Sequence, residues 1–205
     1  MWAELTAVPP CFVLYGGTGI AVRLGHRTSV DFDFFAFRDF EPDRLYRDVA
    51  FLAGATVVQQ APNTLTCRLD RGGPVLVSFF GVPLLGQVAP PDSVNDIGLS
   101  VAALVDLAGM KAAVVQSRSE SKDYVDVDAL IQGGIPLPTA LAAAAQIYGT
   151  AFNPQITLKA LCYFEDGNLR GLPADLKHRL VRAVESVDLN RLPSLSPVRP
   201  HTPGT

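Results

Sequence analysis

The chain has 205 residues, 48% hydrophobic and 18% charged, with 17 Lys+Arg against 20 Asp+Glu and a formal net charge of −3. This length buries a core without disulfides or a structural metal, and the apolar content excludes wholesale disorder. The acidic balance excludes a bulk nucleic-acid coat, so any nucleic acid has to be held by a local patch. Cys11, Cys67 and Cys162 form no C-x-x-C pair, and His26, His178 and His201 have no H-x-x-x-H spacing. Scattered thiols suit a reducing compartment, and a zinc site is not expected. No positive charge precedes Arg23, which is the wrong start for a signal peptide. No run reaches the roughly 18 consecutive apolar residues of a membrane span. The expectation is a soluble, cytoplasmic protein.

In chain order, the apolar run 11–15 stops at Gly16-Gly17-Thr18, and Ile20, Ala21 and Leu24 then share one helical face. The pattern is strand, glycine turn, helix. Residues 31–37 (DFDFFAF) alternate as a half-buried strand does, and 43–52 carries Leu45, Val49 and Leu52 at helical spacing behind Pro42. Segments 55–60, 64–70 and 75–80 follow as strands, the last two joined by a hairpin turn at Arg71-Gly72-Gly73-Pro74. After Pro90-Pro91-Asp92 the period becomes helical through Val101, Leu104, Val105, Ala108, Ala112 and Val115. Further helices are expected over 122–131, over 139–148 with Thr139 as N-cap, and over 154–164 and 173–187. This gives an α+β lobe over 1–95, a helical lobe over 96–191 and a Pro-rich, disordered tail over 192–205.

The most informative motif is Asp31-Phe32-Asp33-Phe34. On a strand, residues i and i+2 share a face, so the two carboxylates project together while the rings enter the other side. Adjacent carboxylates repel, and a divalent cation removes that conflict; Mg²⁺ is commonly held by such a pair together with substrate phosphates. A pair of solvent-facing aspartates on an edge strand is the competing reading. Upstream, Gly16-Gly17-Thr18 lies between strand and helix, where backbone N–H groups and the helix dipole receive a phosphate. The glycines can also simply make a tight turn. They match neither the Rossmann fingerprint, since Val22 stands at the sixth position, nor Walker A, which needs Gly-Lys-Ser/Thr.

Leu14-Tyr15-Gly16-Gly17-Thr18, followed by Leu24-Gly25-His26-Arg27-Thr28-Ser29-Val30-Asp31-Phe32-Asp33-Phe34-Phe35, resembles the first motif of the AbiEii/AbiGii nucleotidyltransferases. These are toxins of type IV toxin–antitoxin and phage-abortive systems with a polymerase-beta-like core. A second match runs Asp106-Leu107-Ala108-Gly109-Met110-Lys111-Ala112-Ala113, then Arg118 and Lys122-Asp123-Tyr124-Val125-Asp126, with a weaker third around Ala160-Leu161, Tyr163-Phe164 and Asp166. The resemblance implies a nucleotidyltransferase-like mixed sheet with flanking helices, followed by a helical lobe that completes the active site. Asp31 and Asp33 would bind Mg²⁺ (or Mn²⁺), and Gly16, Gly17, Thr18, Arg27 and Ser29 would line the nucleotide. Lys111 would meet the triphosphate from across a groove, and Asp126 would complete the catalytic set. The implied activity is NMP transfer from an NTP to an acceptor hydroxyl such as a tRNA 3′ end, with a cognate antitoxin protein as partner and no membrane.

Several readings stay open at this level. Lys111 falls on a mostly apolar helix face, where a lysine can also snorkel to water. Asp123 and Asp126 share a helical face, Asp126 being preferred for chemistry and Asp123 for structure. Arg118 and Lys122 are read as a solvated face, and Lys177, Arg179 and Arg182 as exposed charge or a small RNA patch. The fold family usually takes a third carboxylate from a neighbouring strand, but 75–80 offers Ser78 and no acid. That departure leaves two rivals: a catalytically impaired nucleotide- or partner-binding module on the same fold, and an unrelated α+β enzyme binding another phosphorylated ligand at 16–18.

Overall fold

Alternation of Phe32, Phe34 and Ala36 with Asp33 and Phe35 gives strand β2 (Phe32–Ala36) one buried and one half-buried face. It lies at the centre of a seven-stranded mixed sheet in a computed structural model that describes residues 1–94 and 97–202. The other strands are β1 (Val13–Tyr15), β3 (Thr56–Ala61), β4 (Thr64–Asp70), β5 (Pro74–Gly81), β6 (Asp92–Val94) and β7 (Leu99–Val101). Their order is β3-β4-β5-β2-β1-β7-β6; β2 runs parallel to β5 and β1 parallel to β7, the other pairs being antiparallel. The protein is α+β, as its alternating and helical periods require.

Two compact units emerge from the contacts: Met1–Val22, Arg27–Leu84 and Pro91–Ala102 form the first, and Arg23–His26, Leu85–Pro90 and the chain from Ala103 onward form the second. The boundary expected at 95/96 falls on residues outside the described ones, and the long second block begins at Ala103.

In the first unit, helix α1 (Gly16–Leu24) follows β1 directly, so the expected glycine turn is the helix's own first turn. Helix α2 (Pro42–Asp48) begins with proline, whose fixed φ suits the first helical position. The core is aromatic: Phe34 stacks on Phe79 at 5.2 Å between centroids, and Phe12 meets Phe79 edge-on at 5.1 Å. Leu14, Leu65, Cys67, Val77 and Val101 complete it, all excluded from solvent. Val101, expected to open a helix, closes β7 instead, because parallel pairing opposite Leu14 buries it in this core.

The second unit holds α3 (Leu104–Val114), α4 (Ser121–Gln132), α5 (Leu137–Tyr148), α6 (Pro154–Leu161) and α7 (Ala174–Glu185). Helix α5 starts two residues before Thr139, with Pro136 at the cap position. Its alanines let α3 approach closely: a Cβ placed on Gly109 would lie 2.9 Å from both the carbonyl carbon and the Cβ of Ala143. Backbone cannot yield as a side-chain tip can, so Gly109→Ala is expected to destabilise the protein by about 1–3 kcal/mol, the range for overpacked cores. Urea unfolding of this variant checks the expectation; a midpoint equal to wild type would show that the two helices separate without cost.

The Pro-rich tail differs from its expected disorder over the described residues. Arg199 exchanges backbone hydrogen bonds with Gln87 at 2.7 and 3.0 Å, the Val198 N–H donates to the Val88 carbonyl at 3.3 Å, and Leu195 packs against Val88, Ala143 and Ile147. A one-dimensional count of prolines misses this, because a tail without helix or sheet of its own can still pair with a buried segment. Pro203 lies outside the described residues.

Candidate active site

The first unit's polar residues gather where β2 begins and α1 starts. Gly16 opens α1 with φ +67°, a left-handed conformation that glycine alone adopts without strain. A Cβ there would clash with Asp33 Oδ2 and lie 3.2 Å from Asp33 Cγ, so the Asp33 carboxylate lies directly against the first residue of the helix. The partial positive charge of a helix N-terminus favours an anion in that place. Thr18 is buried; its hydroxyl donates to the Asp31 carbonyl and shares a 2.8 Å hydroxyl–hydroxyl hydrogen bond with Ser29. Thr18 and Ser29 therefore tie the first turn of α1 to the backbone beside Asp31.

Asp31 is exposed, one residue ahead of β2, and its Oδ1 accepts the Leu76 backbone N–H at 3.0 Å. Asp33, half-buried, pairs in register with Ser78 on β5, and Ser78 is hydrogen-bonded to Thr66 at 3.2 Å. The strand beside Asp33 thus presents the Ser78 hydroxyl where the fold family usually has a third acid. Arg27 donates to the Thr28 carbonyl at 3.1 Å. Among the described residues no group of three or more His, Cys, Asp or Glu side chains is arranged to hold a metal. Asp31 and Asp33 are hard carboxylates, a ligand chemistry that would suit Mg²⁺ if waters and substrate phosphates completed the shell.

The second unit assembles a buried ion network. Lys111 is 5% exposed, and its ammonium meets Asp123 Oδ1 at 2.6 Å and Asp126 Oδ2 at 2.8 Å. Both aspartates are 0% exposed and sit three apart on α4. Arg118 grips Asp123 through Nε at 2.6 Å and Nη2 at 2.9 Å. His26 Nε2 meets Asp126 Oδ1 at 2.7 Å. Burial pushes the Asp123 carboxyl up, but hydrogen bonds from Arg118 and the charge of Lys111 outweigh it and hold the group below its ordinary value. Lys111 accordingly does not snorkel to water. Two buried carboxylates take its charge, and Asp123 and Asp126 hold it together.

Arg118, expected on a solvated face, and His26, expected near the nucleotide, both turn out to be donors to the α4 aspartates. Arg118 lies five residues before Asp123, a spacing compatible with a loop-to-helix grip, whereas nothing local links His26 to Asp126 across 100 positions. Two of the late basic residues are engaged within the fold: Arg179 clasps Asp128 and Asp175, each at 2.7 Å at the shortest approach, and the Lys177 ammonium stands 5.6 Å from the Phe164 ring centroid. Asp106, buried in the first turn of α3, accepts the Val88 and Ala89 N–H groups at 2.8 and 2.9 Å, and burial pushes its carboxyl up despite these bonds.

With this geometry in hand, the sequence profile of the family described as nucleotidyl transferase AbiEii toxin, type IV TA system, matches residues 3–193. The chain belongs to the AbiEii family. It is a nucleotidyltransferase of the toxin class found in type IV toxin–antitoxin systems. An uncharacterized protein of Aquifex aeolicus (strain VF5) is 34% identical over 160 residues, covering 76% of this chain and 74% of that one. Two solved structures share the AbiEii chain's fold. MenT4, a nucleotidyltransferase toxin from Mycobacterium tuberculosis H37Rv, superposes with a TM-score of 0.63 at 16% identity over 92% of this chain and 83% of that one. A candidate nucleotidyltransferase from H. pylori gives 0.57 at 14% identity, over 89% and 88%. At these identities the likeness is one of fold. Among the described residues of this AbiEii protein, no single helix is long and apolar enough to cross a membrane.

Proposed function

We propose that this AbiEii protein transfers a nucleoside monophosphate from an NTP to an acceptor hydroxyl in a Mg²⁺-dependent reaction, with a tRNA 3′ end as the favoured acceptor. The observation that carries the reading is Asp33 set against Gly16 at the start of α1, with Asp31 two residues away. Asp31 and Asp33 are the residues that would hold the metal, and Gly16 and Gly17 would offer backbone N–H groups to the phosphates. Bound there, the cation would neutralise triphosphate charge as pyrophosphate departs. Thr18 and Ser29 hold the Asp31 backbone in place, and Arg27 would supply charge to the nucleotide. Lys111 and Asp126, which the family motif assigns to catalysis, would act as a fixed ammonium–carboxylate pair. Nucleotidyl transfer needs charge stabilisation and in-line placement more than a covalent nucleophile, and this residue set would supply both, with Asp126 as the carboxylate that would take the proton of the acceptor hydroxyl. We assign the reaction to the cytoplasm, where NTPs are abundant and free thiols such as Cys11, Cys67 and Cys162 persist. A cognate antitoxin protein, as the toxin class implies, is the expected partner.

The test is incubation of the purified protein with each labelled NTP, Mg²⁺ and total tRNA, comparing wild type with Asp31→Ala and Lys111→Ala. Label is expected to move to RNA from one preferred NTP, and to fall at least about 100-fold in each variant and on chelation of Mg²⁺. Transfer that survives both substitutions would overturn the site. Ser78 beside Asp33 favours one alternative, a copy that binds nucleotide without transferring it. That alternative predicts NTP binding with no labelled product on any RNA or protein.

A further inference from the structure

We infer that His26 is a positioning residue, fixing the carboxylate of Asp126 in the orientation its chemistry requires. The inference rests on the reading above that Asp126 takes part in the reaction. His26 follows Gly25, whose φ of +61° ends α1 in a left-handed turn, and the imidazole then meets Asp126 on α4. Its side chain is 11% exposed and that of Asp126 is 0% exposed, so the 2.7 Å contact between them is sheltered from water.

The protonation pattern follows from the partners. An ionised carboxylate only accepts, so the ring nitrogen facing Asp126 carries the hydrogen of that contact. The other ring nitrogen, Nδ1, is buried with no hydrogen-bond partner. Buried polar atoms are nearly always satisfied, and leaving one unmade costs stability. A ring present for packing alone would gain from replacement by a carbocycle. What this ring supplies is the donor to Asp126.

The two aspartates of α4 are held differently. Asp123 receives the planar fork of Arg118 together with the Lys111 ammonium. Asp126 receives Lys111 on Oδ2 and His26 on Oδ1, from the helix α3 and from the turn after α1. Rotating the Asp126 carboxylate about its last bond would lengthen both charge-assisted hydrogen bonds at once. The imidazole thereby sets the plane of the carboxylate and leaves Lys111 divided between Asp123 and Asp126. An oriented carboxylate is needed most in the transition state, so the loss of His26 is expected in kcat more than in KM.

The experiment compares wild type with His26→Phe, His26→Gln, Asp126→Asn and His26→Phe/Asp126→Asn, measuring kcat and KM for the NTP by label transfer and thermal unfolding for each. His26→Phe is expected to lower kcat about 10–100-fold, the range for outer partners of catalytic ligands, with KM changed less than about 3-fold. His26→Gln, whose amide N–H can reach Asp126, should recover most of that loss, and the double variant should be no slower than Asp126→Asn alone. If the phenyl ring prevents folding, His26→Leu takes its place in every comparison. Wild-type kcat in His26→Phe with an inactive Asp126→Asn overturns this inference and leaves the reading of Asp126 standing. Equal losses in His26→Phe and His26→Gln, additive with Asp126→Asn, show a packing role and overturn it too. Wild-type activity in Asp126→Asn removes the reading on which it rests.

Discussion

Lys111→Met is expected to lower folding stability by about 3 kcal/mol and to remove transfer activity. The ammonium is buried and serves two carboxylates with no solvent exposure of their own. Breaking a buried ion pair from one side costs roughly 3–5 kcal/mol, because the remaining charge is left in a poor dielectric. Here the low end applies, since Asp123 keeps Arg118 and Asp126 keeps His26. In a chain of this size that corresponds to a fall in Tm of about 6–12 °C. Adding Asp126→Asn to Lys111→Met should restore part of the stability and none of the activity, which separates folding from chemistry. A single variant that melts with wild type would show that the carboxylates do not depend on the ammonium.

The same network sets an acid limit. Asp123 is held below the ordinary aspartate value of 3.8, so its folded pKa is depressed. Its contribution to stability is present above that value and is lost as pH falls through the folded pKa. Lys111→Met removes one of the two cations opposing desolvation, so the Asp123 carboxyl should titrate higher. Acid unfolding of the variant is then expected to begin at a higher pH than that of wild type, measurable by circular dichroism between about pH 2 and 5.

Gly16→Ala is expected to lower transfer about 100-fold with a much smaller effect on melting. The added methyl would clash with Asp33 Oδ2 and stand 3.2 Å from Cγ, so the carboxylate has to turn away from the start of α1. The positive φ of +67° adds backbone strain of about 1–2 kcal/mol for any L-residue. A displacement of about 1 Å at a reacting centre costs on the order of 100-fold in rate. The Mg²⁺ concentration for half-maximal activity should rise in parallel, and Asp33→Asn, which keeps the shape and removes the charge, should show the same metal defect without the strain. Wild-type rate and Mg²⁺ response in Gly16→Ala would disconnect Asp33 from the metal.

Local spacing foretold much of this protein. Alternation in DFDFFAF put Phe32 and Phe34 in the core and Asp33 on the other face, because side chains on a strand alternate whatever lies beyond it. The i,i+3 spacing of Asp123 and Asp126 likewise put both on one face of α4. Three-residue strands such as β7 were not legible: Val101 fits a helical period as well as it fits a strand, and its pairing opposite Leu14 decides the matter. The glycine pair looked like a turn because glycine breaks helices on average, yet β1 delivers the chain into α1 with Gly16 as its first residue.

By itself the sequence determined the α+β class, the alternation of the strand that carries Asp33 and the order of motifs that marks an AbiEii nucleotidyltransferase. Each of these depends on neighbours within a few residues, whose geometry the backbone fixes. Only the tertiary structure decided that Lys111 is locked between two carboxylates, that Arg118 and His26 serve those same groups, and that the proline-rich tail pairs with Gln87. Those contacts join positions up to 100 or more apart, and they exist because a buried charge or backbone group must find its partner wherever packing brings one within reach.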